Sequence, residues 1–135
     1  MHTTLSPYLN FNGNCREAMQ FYQSVLGGEL TMQSYGEAGY SDSSAQKDKI
    51  IHASLKSNDL SLMACDGPQE KAVTFGNNVH LSINGSEEKT LREYFEKLSA
   101  GGIISMPLEK QFWGDIFGMF TDKFGVHWMI NISSQ

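Results

Sequence analysis

Residues 21–28, FYQSVLGG, and residues 94–102, YFEKLSAGG, follow one plan: an aromatic pair, a short amphipathic tail and a double glycine. Apolar side chains recur at three- and four-residue spacing up to each glycine pair, which is typical of a helix that ends there. One strand candidate precedes each helix and three follow it. The order strand–helix–strand–strand–strand thus occurs twice, and this internal repeat decides the fold.

The same periodicity gives the bounds of the elements. Helices are predicted over residues 15–26 and 87–99, the first capped by Asn14. Residues 57–59 have the composition of a hairpin turn. Residues 36–49 form a long polar loop, which is either functional or a disordered surface excursion. The predicted strands span residues 5–11, 29–35, 50–56, 60–65, 78–83, 103–109, 117–121 and 127–132.

Each half taken alone would leave one face of its sheet bare. We therefore expect the two halves to pair through a shared curved sheet in a single domain over residues 1–135. The modules cover about residues 1–66 and 76–135. The predicted class is α+β, built from two tandem βαβββ modules.

Composition limits the possible partners. The 135 residues carry a net charge of −5, with 40% hydrophobic and 19% charged residues, as in an ordinary globular protein. No Lys/Arg cluster is present, so neither nucleic acid nor a membrane surface is an expected partner. No apolar run approaches the roughly 20 residues of a spanning helix, and no secretory signal is recognisable. Cys15 and Cys65 have neither disulfide-framework nor metal spacing, which favours a reducing cytoplasm.

Two terminal motifs carry a family resemblance. The first is PYLNFNGNCREA at residues 7–18, followed by Phe21 and Tyr22, and the second runs from FWG at residues 112–114 to WMIN at residues 128–131. With the βαβββ repeat, they resemble the PhnB-like branch of the vicinal oxygen chelate (glyoxalase/bleomycin-resistance) superfamily, often labelled 3-demethylubiquinone-9 3-methyltransferase-like. The resemblance implies a half-open barrel, usually in a homodimer. No Gly-rich loop follows the first strand, so a nucleotide-like methyl donor is not expected.

Enzymes of this superfamily typically hold a divalent metal with four side chains, each His, Gln or Glu. Hard divalent metals prefer carboxylate and imidazole ligands. At best one of the four corresponding positions here carries an ordinary ligand, so we expect the usual metal site, and any cofactor, to be absent. A relocated site using His52, His80 and His127 is the alternative. The resemblance places the metal positions near Ser6, near Met63, near Asn78 or His80, and near Met129 or Ile130.

Strand alternation sets the candidate site residues on one face of the sheet. His52 and His80 are a candidate acid–base pair, or each is a hydrogen-bonded polar filler. Asp115 is a candidate catalytic acid or a turn residue. Cys65 is either a reactive thiol or a buried structural cysteine, and the neighbouring Asp66 disfavours the thiolate. The expected ligand-binding residues are Tyr8, His52, Met63, His80, Phe112, Trp113, Met119 and Met129.

Three functions fit this pattern. The first is a metal-free protein that binds a small, apolar or aromatic molecule in a cupped-sheet pocket, with Phe112 and Trp113 at its rim. The second is an enzyme, a lyase, dioxygenase or methyltransferase-like protein, that uses a relocated metal or the histidines. The third is a structural or regulatory dimer with a vestigial pocket. The missing metal ligands and the aromatic rim favour the first.

Overall fold

The computed structural model describes residues 3–39, 47–58, 60–67 and 71–134, and it divides into two compact units. The first unit ends at Thr74 and the second begins at Phe75. Each unit packs a helix against a four-stranded sheet. Among the described residues, no helix has the length and apolar character needed to cross a membrane.

The first unit has the predicted order of elements. Its strands are β1 (Tyr8–Phe11), β2 (Glu29–Ser34), β3 (Ile50–Ser57) and β4 (Leu60–Asp66), with helix α1 (Cys15–Leu26) after β1. The sheet order is β1-β4-β3-β2, in which β1 runs parallel to β4 and the other neighbours are antiparallel. This is one βαβββ module.

The second unit repeats this topology. Its strands are β5 (Leu81–Gly85), β6 (Ile103–Lys110), β7 (Ile116–Thr121) and β8 (His127–Ile132), with helix α2 (Glu88–Ser99) after β5. The sheet order is β5-β8-β7-β6, and β5 again runs parallel to its neighbour, β8. The predicted α+β class and the two βαβββ modules are confirmed.

In each unit the helix covers one face of the sheet. The apolar stripe of α1 buries Ala18, Met19 and Tyr22, and Ala53 and Leu55, two residues apart on β3, are buried as well. In the second unit, Phe95 of α2 meets Phe120 of β7 edge-on at 5.0 Å between ring centroids. Because side chains alternate along a strand, the other face of each sheet is left uncovered by its helix. We call this second face the open face.

Two strands begin later than predicted. β1 begins at Tyr8, not at residue 5, because Pro7 has no N–H for the ladder and contributes only its carbonyl, which accepts from Met63 N at 3.1 Å. β5 begins at Leu81, not at residue 78, since its partner β8 starts at His127. Val79, inside the predicted strand, precedes the observed one and is 66% exposed.

The cap of α1 also differs from the prediction. Asn14 occupies the N-cap position, but its side chain makes no capping hydrogen bond. The carboxylate of Asp66, at the end of β4, accepts from Gly13 N and Cys15 N instead, each at 2.9 Å. The cap therefore comes from a residue distant in sequence, which local cap propensities do not reveal.

Two of the predicted connections lie partly outside the described residues. Of the loop at residues 36–49, residues 40–46 fall outside, and residues 36–39 form a turn after β2. In the hairpin turn between β3 and β4, Asp59 falls outside and Asn58 has a φ of 53°.

Candidate functional site

Three of the predicted ligand-binding residues meet on the open face of the first sheet. Tyr8 on β1 and Met63 on β4 are paired across the two strands. The Tyr8 hydroxyl lies 3.2 Å from Nδ1 of His52 on β3, and the two rings are 5.9 Å apart. Tyr8 and His52 are both exposed, so this cluster presents a phenol, an imidazole and a thioether to the outside.

Asn10 and Cys65 extend this cluster, although neither was among the predicted ligand-binding residues. The Cys65 thiol donates to Asn10 Oδ1 at 3.2 Å, and the two residues are paired across β1 and β4. Desolvation, followed by the nearby Cys65, raises the pKa of Tyr8 to about 12. The phenol is therefore a neutral hydrogen-bond donor over the physiological range. The alternation that places Tyr8 on this face could have identified Asn10.

The two thiols are expected to react poorly. Burial, followed by the Asp66 carboxylate, raises the pKa of Cys15 to about 12, and burial also raises the pKa of the partly exposed Cys65. A pKa three units above normal leaves about a thousandth of the usual thiolate.

With a disulfide thiol reagent at pH 8, Cys65 should react more slowly than a free thiol, and Cys15 only after unfolding. The single-cysteine variants Cys15→Ala and Cys65→Ser identify which thiol reacts, and a fast native reaction of either would contradict this assignment.

On the open face of the second sheet, methionines form a row across three strands. Met119 on β7 is paired with Met106 on β6 and with Met129 on β8, and Met129 is paired with Ser82 on β5. Directly opposed residues in a sheet project from the same face. Met119 and Met129 are partly buried and Met106 is 38% exposed. The row is an apolar, polarisable surface whose unbranched side chains can adapt to a ligand.

Two histidines lie on one side of this row. The rings of His80 and His127 are 5.3 Å apart. His127 Nε2 lies 2.8 Å from the carbonyl oxygen of Gly76, and its Nδ1 lies 2.7 Å from the Thr121 hydroxyl. A carbonyl only accepts, so Nε2 carries a proton, and in the neutral ring Nδ1 accepts from Thr121. His127 is thus held by its neighbours in one orientation.

The aromatic rim lies at the side of the row, where Phe117 precedes Met119 by two residues on β7. Phe112 is 97% exposed and Trp113 is 49% exposed. Their ring centroids are 5.0 Å apart, and Trp113 also contacts Phe117 of β7 at 6.2 Å. Phe117 is paired with Asn131 on the open face and was not among the predicted ligand residues.

Asp115 links this rim to the last strand. Its Oδ2 accepts from Asn131 Nδ2 at 2.9 Å and its Oδ1 from Ser134 N at 3.3 Å. These hydrogen bonds, with a smaller one from Trp113, hold the pKa of Asp115 below its ordinary value. Asp115 is therefore a carboxylate at neutral pH, which is the wrong protonation state for a general acid but suits charge recognition.

The two histidines of the predicted acid–base pair, His52 and His80, lie in different units. His52 lies beside Tyr8 in the first unit, and His80 lies beside His127 in the second. Each histidine thus has a partner within its own unit, and the pairing of His52 with His80 remains a prediction.

At three of the four positions where the resemblance places the superfamily's metal, the side chains are not His, Gln or Glu, and the fourth position has Asn78 or His80. Ser6 donates its hydroxyl proton to Ser61 Oγ at 3.3 Å, Met63 and Met129 offer only thioethers, and the Ile130 side chain is buried and apolar. Within residues 3–39, 47–58, 60–67 and 71–134, no three His, Cys, Asp or Glu side chains lie close enough to hold a metal ion.

A cavity of about 430 Å³ lies elsewhere, near the start of α1, and contains none of the predicted site residues. Arg16 within it donates to the carbonyl oxygen of Asp48 at 3.2 Å. Among the described residues, none of its lining side chains is aromatic or aliphatic, unlike those typical of small-molecule sites. The lining residues are Arg16, Ser34, Gly36, Glu37, Lys47 and Asp48.

The sequence and the fold of this chain match those of known proteins. Residues 3–131 match the family described as 3-demethylubiquinone-9 3-methyltransferase. The protein YjdN of Escherichia coli (strain K12) is 37% identical, with 97% of this chain and 96% of that protein covered. The crystal structure of protein PA1353 from Pseudomonas aeruginosa has a TM-score of 0.85 at 39% identity, covering 99% and 100% of the two chains. A PhnB protein from Bacillus cereus has a TM-score of 0.80 at 27% identity, covering 97% and 100%.

Proposed function

Because the chain belongs to the 3-demethylubiquinone-9 3-methyltransferase family, in the PhnB-like branch of the vicinal oxygen chelate superfamily, we propose that it binds a small, apolar or aromatic molecule without the superfamily's usual metal site. The observation that carries the proposal is the methionine row on the open face of the second sheet, with Phe117 and Trp113 at its side. Apolar walls with a few polar groups are typical of small-molecule sites.

The polar groups around this surface would orient a bound ligand. Asn131 and Asp115 are hydrogen-bonded to each other at 2.9 Å, and His80 lies beside His127 on the opposite side of the row. In the first unit, Tyr8, His52 and Met63 form a second group of the same kind. A ligand with one flat apolar part and few hydrogen-bonding groups fits both surfaces better than a highly charged one.

Asp66 occupies the backbone donors at the start of α1 where a phosphate-bearing cofactor could otherwise be held. Backbone N–H groups at the start of a helix after a first strand are where phosphate-bearing cofactors are commonly held. Here Gly13 N and Cys15 N, at the start of α1, both donate to the Asp66 carboxylate. A bound anion would have to compete with a buried carboxylate for the same donors.

A neutral, apolar fluorescent dye tests this proposal. We expect N-phenyl-1-naphthylamine to bind saturably, and Met119→Gln or Met129→Gln to weaken its affinity about tenfold, because about 1.4 kcal/mol of apolar contact is lost to a polar amide of similar size. The control Met32→Gln changes a methionine of β2, paired with buried Ala53 on the helix side of the first sheet, and should leave dye affinity unchanged. Absence of saturable binding to the folded protein would refute the proposal.

The alternative function is an enzyme of the superfamily that uses the histidines or a relocated divalent metal. The observation in its favour is the contact between the Tyr8 hydroxyl and His52 Nδ1 at 3.2 Å, which can pass a proton. Elemental analysis of purified protein and activity assays with added Mn, Fe, Ni or Zn test the metal version. No bound metal and no gain of activity would rule that version out, and a pH–activity profile tests the histidines.

A homodimer is part of the proposal. Along β6, the edge strand of the second sheet, Ile103 is 72% exposed and Ile104 is 49% exposed. Exposed apolar edge strands are commonly covered by another chain. Analytical ultracentrifugation measures the state directly, and a monomer at micromolar concentration would contradict this part.

A further inference from the structure

The aromatic rim exposes ring faces that attract a cation. The ring planes of Phe112 and Trp113 lie at 86° with centroids 5.0 Å apart, and Trp113 and Phe117 lie at 61° with centroids 6.2 Å apart. In each of these contacts the edge of one ring lies towards the face of the other, and Phe112 and Trp113 keep 97% and 49% of their surface exposed. Ring faces carry the negative part of the aromatic quadrupole, so a cation beside an exposed face is attracted to it.

Two carboxylates reinforce this preference for positive charge. Asp115 stands two residues after Trp113 and is held as a carboxylate by Asn131 and Ser134. Glu109 on β6 is paired with Phe117 and is exposed, so its side chain leaves the sheet on the same side as that ring. The neighbouring Lys110 is paired with Ile116, and alternation directs it to the opposite side.

We propose that the corner formed by Phe112, Trp113 and Phe117, with the Asp115 carboxylate beside it, binds a quaternary or methylated ammonium group of an organic ligand. A primary ammonium is strongly hydrated and needs several hydrogen-bond acceptors, whereas each oxygen of Asp115 already accepts one hydrogen bond and has correspondingly less capacity left. A methylated ammonium has a dispersed charge and apolar methyl groups, which suit ring faces. The inference rests on the proposed function, since Phe112 and Trp113 form the rim of that same site.

Choline and its neutral isostere, 3,3-dimethylbutan-1-ol, separate charge recognition from apolar contact. Calorimetric titration of the full chain should show choline binding at least about tenfold more tightly than the alcohol. Asp115→Asn should weaken the affinity for choline about tenfold and leave the affinity for the alcohol unchanged, because only the charge of the side chain is removed.

Phe112→Leu should weaken the affinity for choline about threefold, since an exposed ring contributes modestly. Its matched control, Phe75→Leu, replaces a ring that is 40% exposed and lies against Gly125, and should have no effect.

The outcomes distinguish this inference from the function on which it rests. Equal affinity for choline and the alcohol, or no binding of choline while the naphthylamine dye still binds, overturns the cation corner and leaves the proposed function standing. Loss of dye binding as well refutes both. If Phe112→Leu changes the sedimentation coefficient and not choline affinity, the rim is a contact between copies of the chain, and the inference is wrong. Phe112 is almost fully exposed, so its variant is expected to fold normally.

Discussion

Replacing Asp66 with alanine is expected to lower the free energy of unfolding by about 3–5 kcal/mol. The side chain is 1% exposed, and its carboxylate accepts from Gly13 N, Cys15 N and Ile50 N, each at 2.9 Å. It therefore joins the start of α1 to the start of β3. Alanine would leave three donors without their acceptor, and each buried unsatisfied donor costs about 1–3 kcal/mol before any water enters.

Urea unfolding monitored by circular dichroism measures this loss. Asp66→Asn should lose less, about 2 kcal/mol, because its oxygen can still accept while its NH₂ group opposes one of the backbone donors. The exposed Asp48→Ala is the matched control and should stay within about 0.5 kcal/mol of the wild type. A loss below about 1 kcal/mol for Asp66→Ala would show that the carboxylate does not hold the module together.

Replacing Gly28 with alanine is expected to lower the free energy of unfolding by at least about 3 kcal/mol. Gly28 has a φ of +95°, and a Cβ there would overlap the carbonyl oxygen of Lys56 and lie 2.6 Å from Ser57 Cβ. The positive φ contributes about 1–2 kcal/mol, and overpacking against backbone contributes about 1–3 kcal/mol. Gly102 is its counterpart in the second unit, where a Cβ would overlap the carbonyl oxygen of Thr121.

Gly27→Ala provides the control, because Gly27 also has a positive φ, +75°, but a Cβ there would meet nothing within 4 Å. Its loss should be smaller than that of Gly28→Ala by the overpacking contribution of about 1–3 kcal/mol, because only backbone strain is left. Both free energies of unfolding are measured under one set of conditions. Their difference reports how closely the chain at Gly28, just before β2, approaches β3. Equal losses would mean that this approach is not tight in solution.

The double glycines illustrate what the sequence predicts and what it does not. They correctly predict where both helices end, because a glycine at a C-cap is a local requirement. They do not reveal that the second glycine of each pair lies against the backbone of a neighbouring strand, since that contact depends on sheet pairing. In the same way, Asn14 has the composition of a cap, yet Asp66 supplies the hydrogen bonds from a position 51 residues or more away.

The same distinction between local and tertiary determinants applies to the candidate site. Alternation along β1, β3 and β4 correctly predicts that Tyr8, His52 and Met63 share the open face of the first sheet, since the side-chain period of a strand is local. The cross-strand register decides the neighbours. It adds Cys65 and Asn10 to the first group, joins Met106 to the methionine row, and sets Phe117 beside Trp113.

By itself, the sequence determined the two βαβββ modules, the helix limits and the faces of most strands, because helical and strand periodicities and glycine stops are properties of short segments. Only the tertiary structure decided which side chains meet. The Asp66 cap, the pairing of Tyr8 with His52, and the right-angled Phe112 and Trp113 rings beside Asp115 depend on register and turn geometry. A one-residue shift in register would redirect every side chain of a strand, and no local pattern fixes it alone.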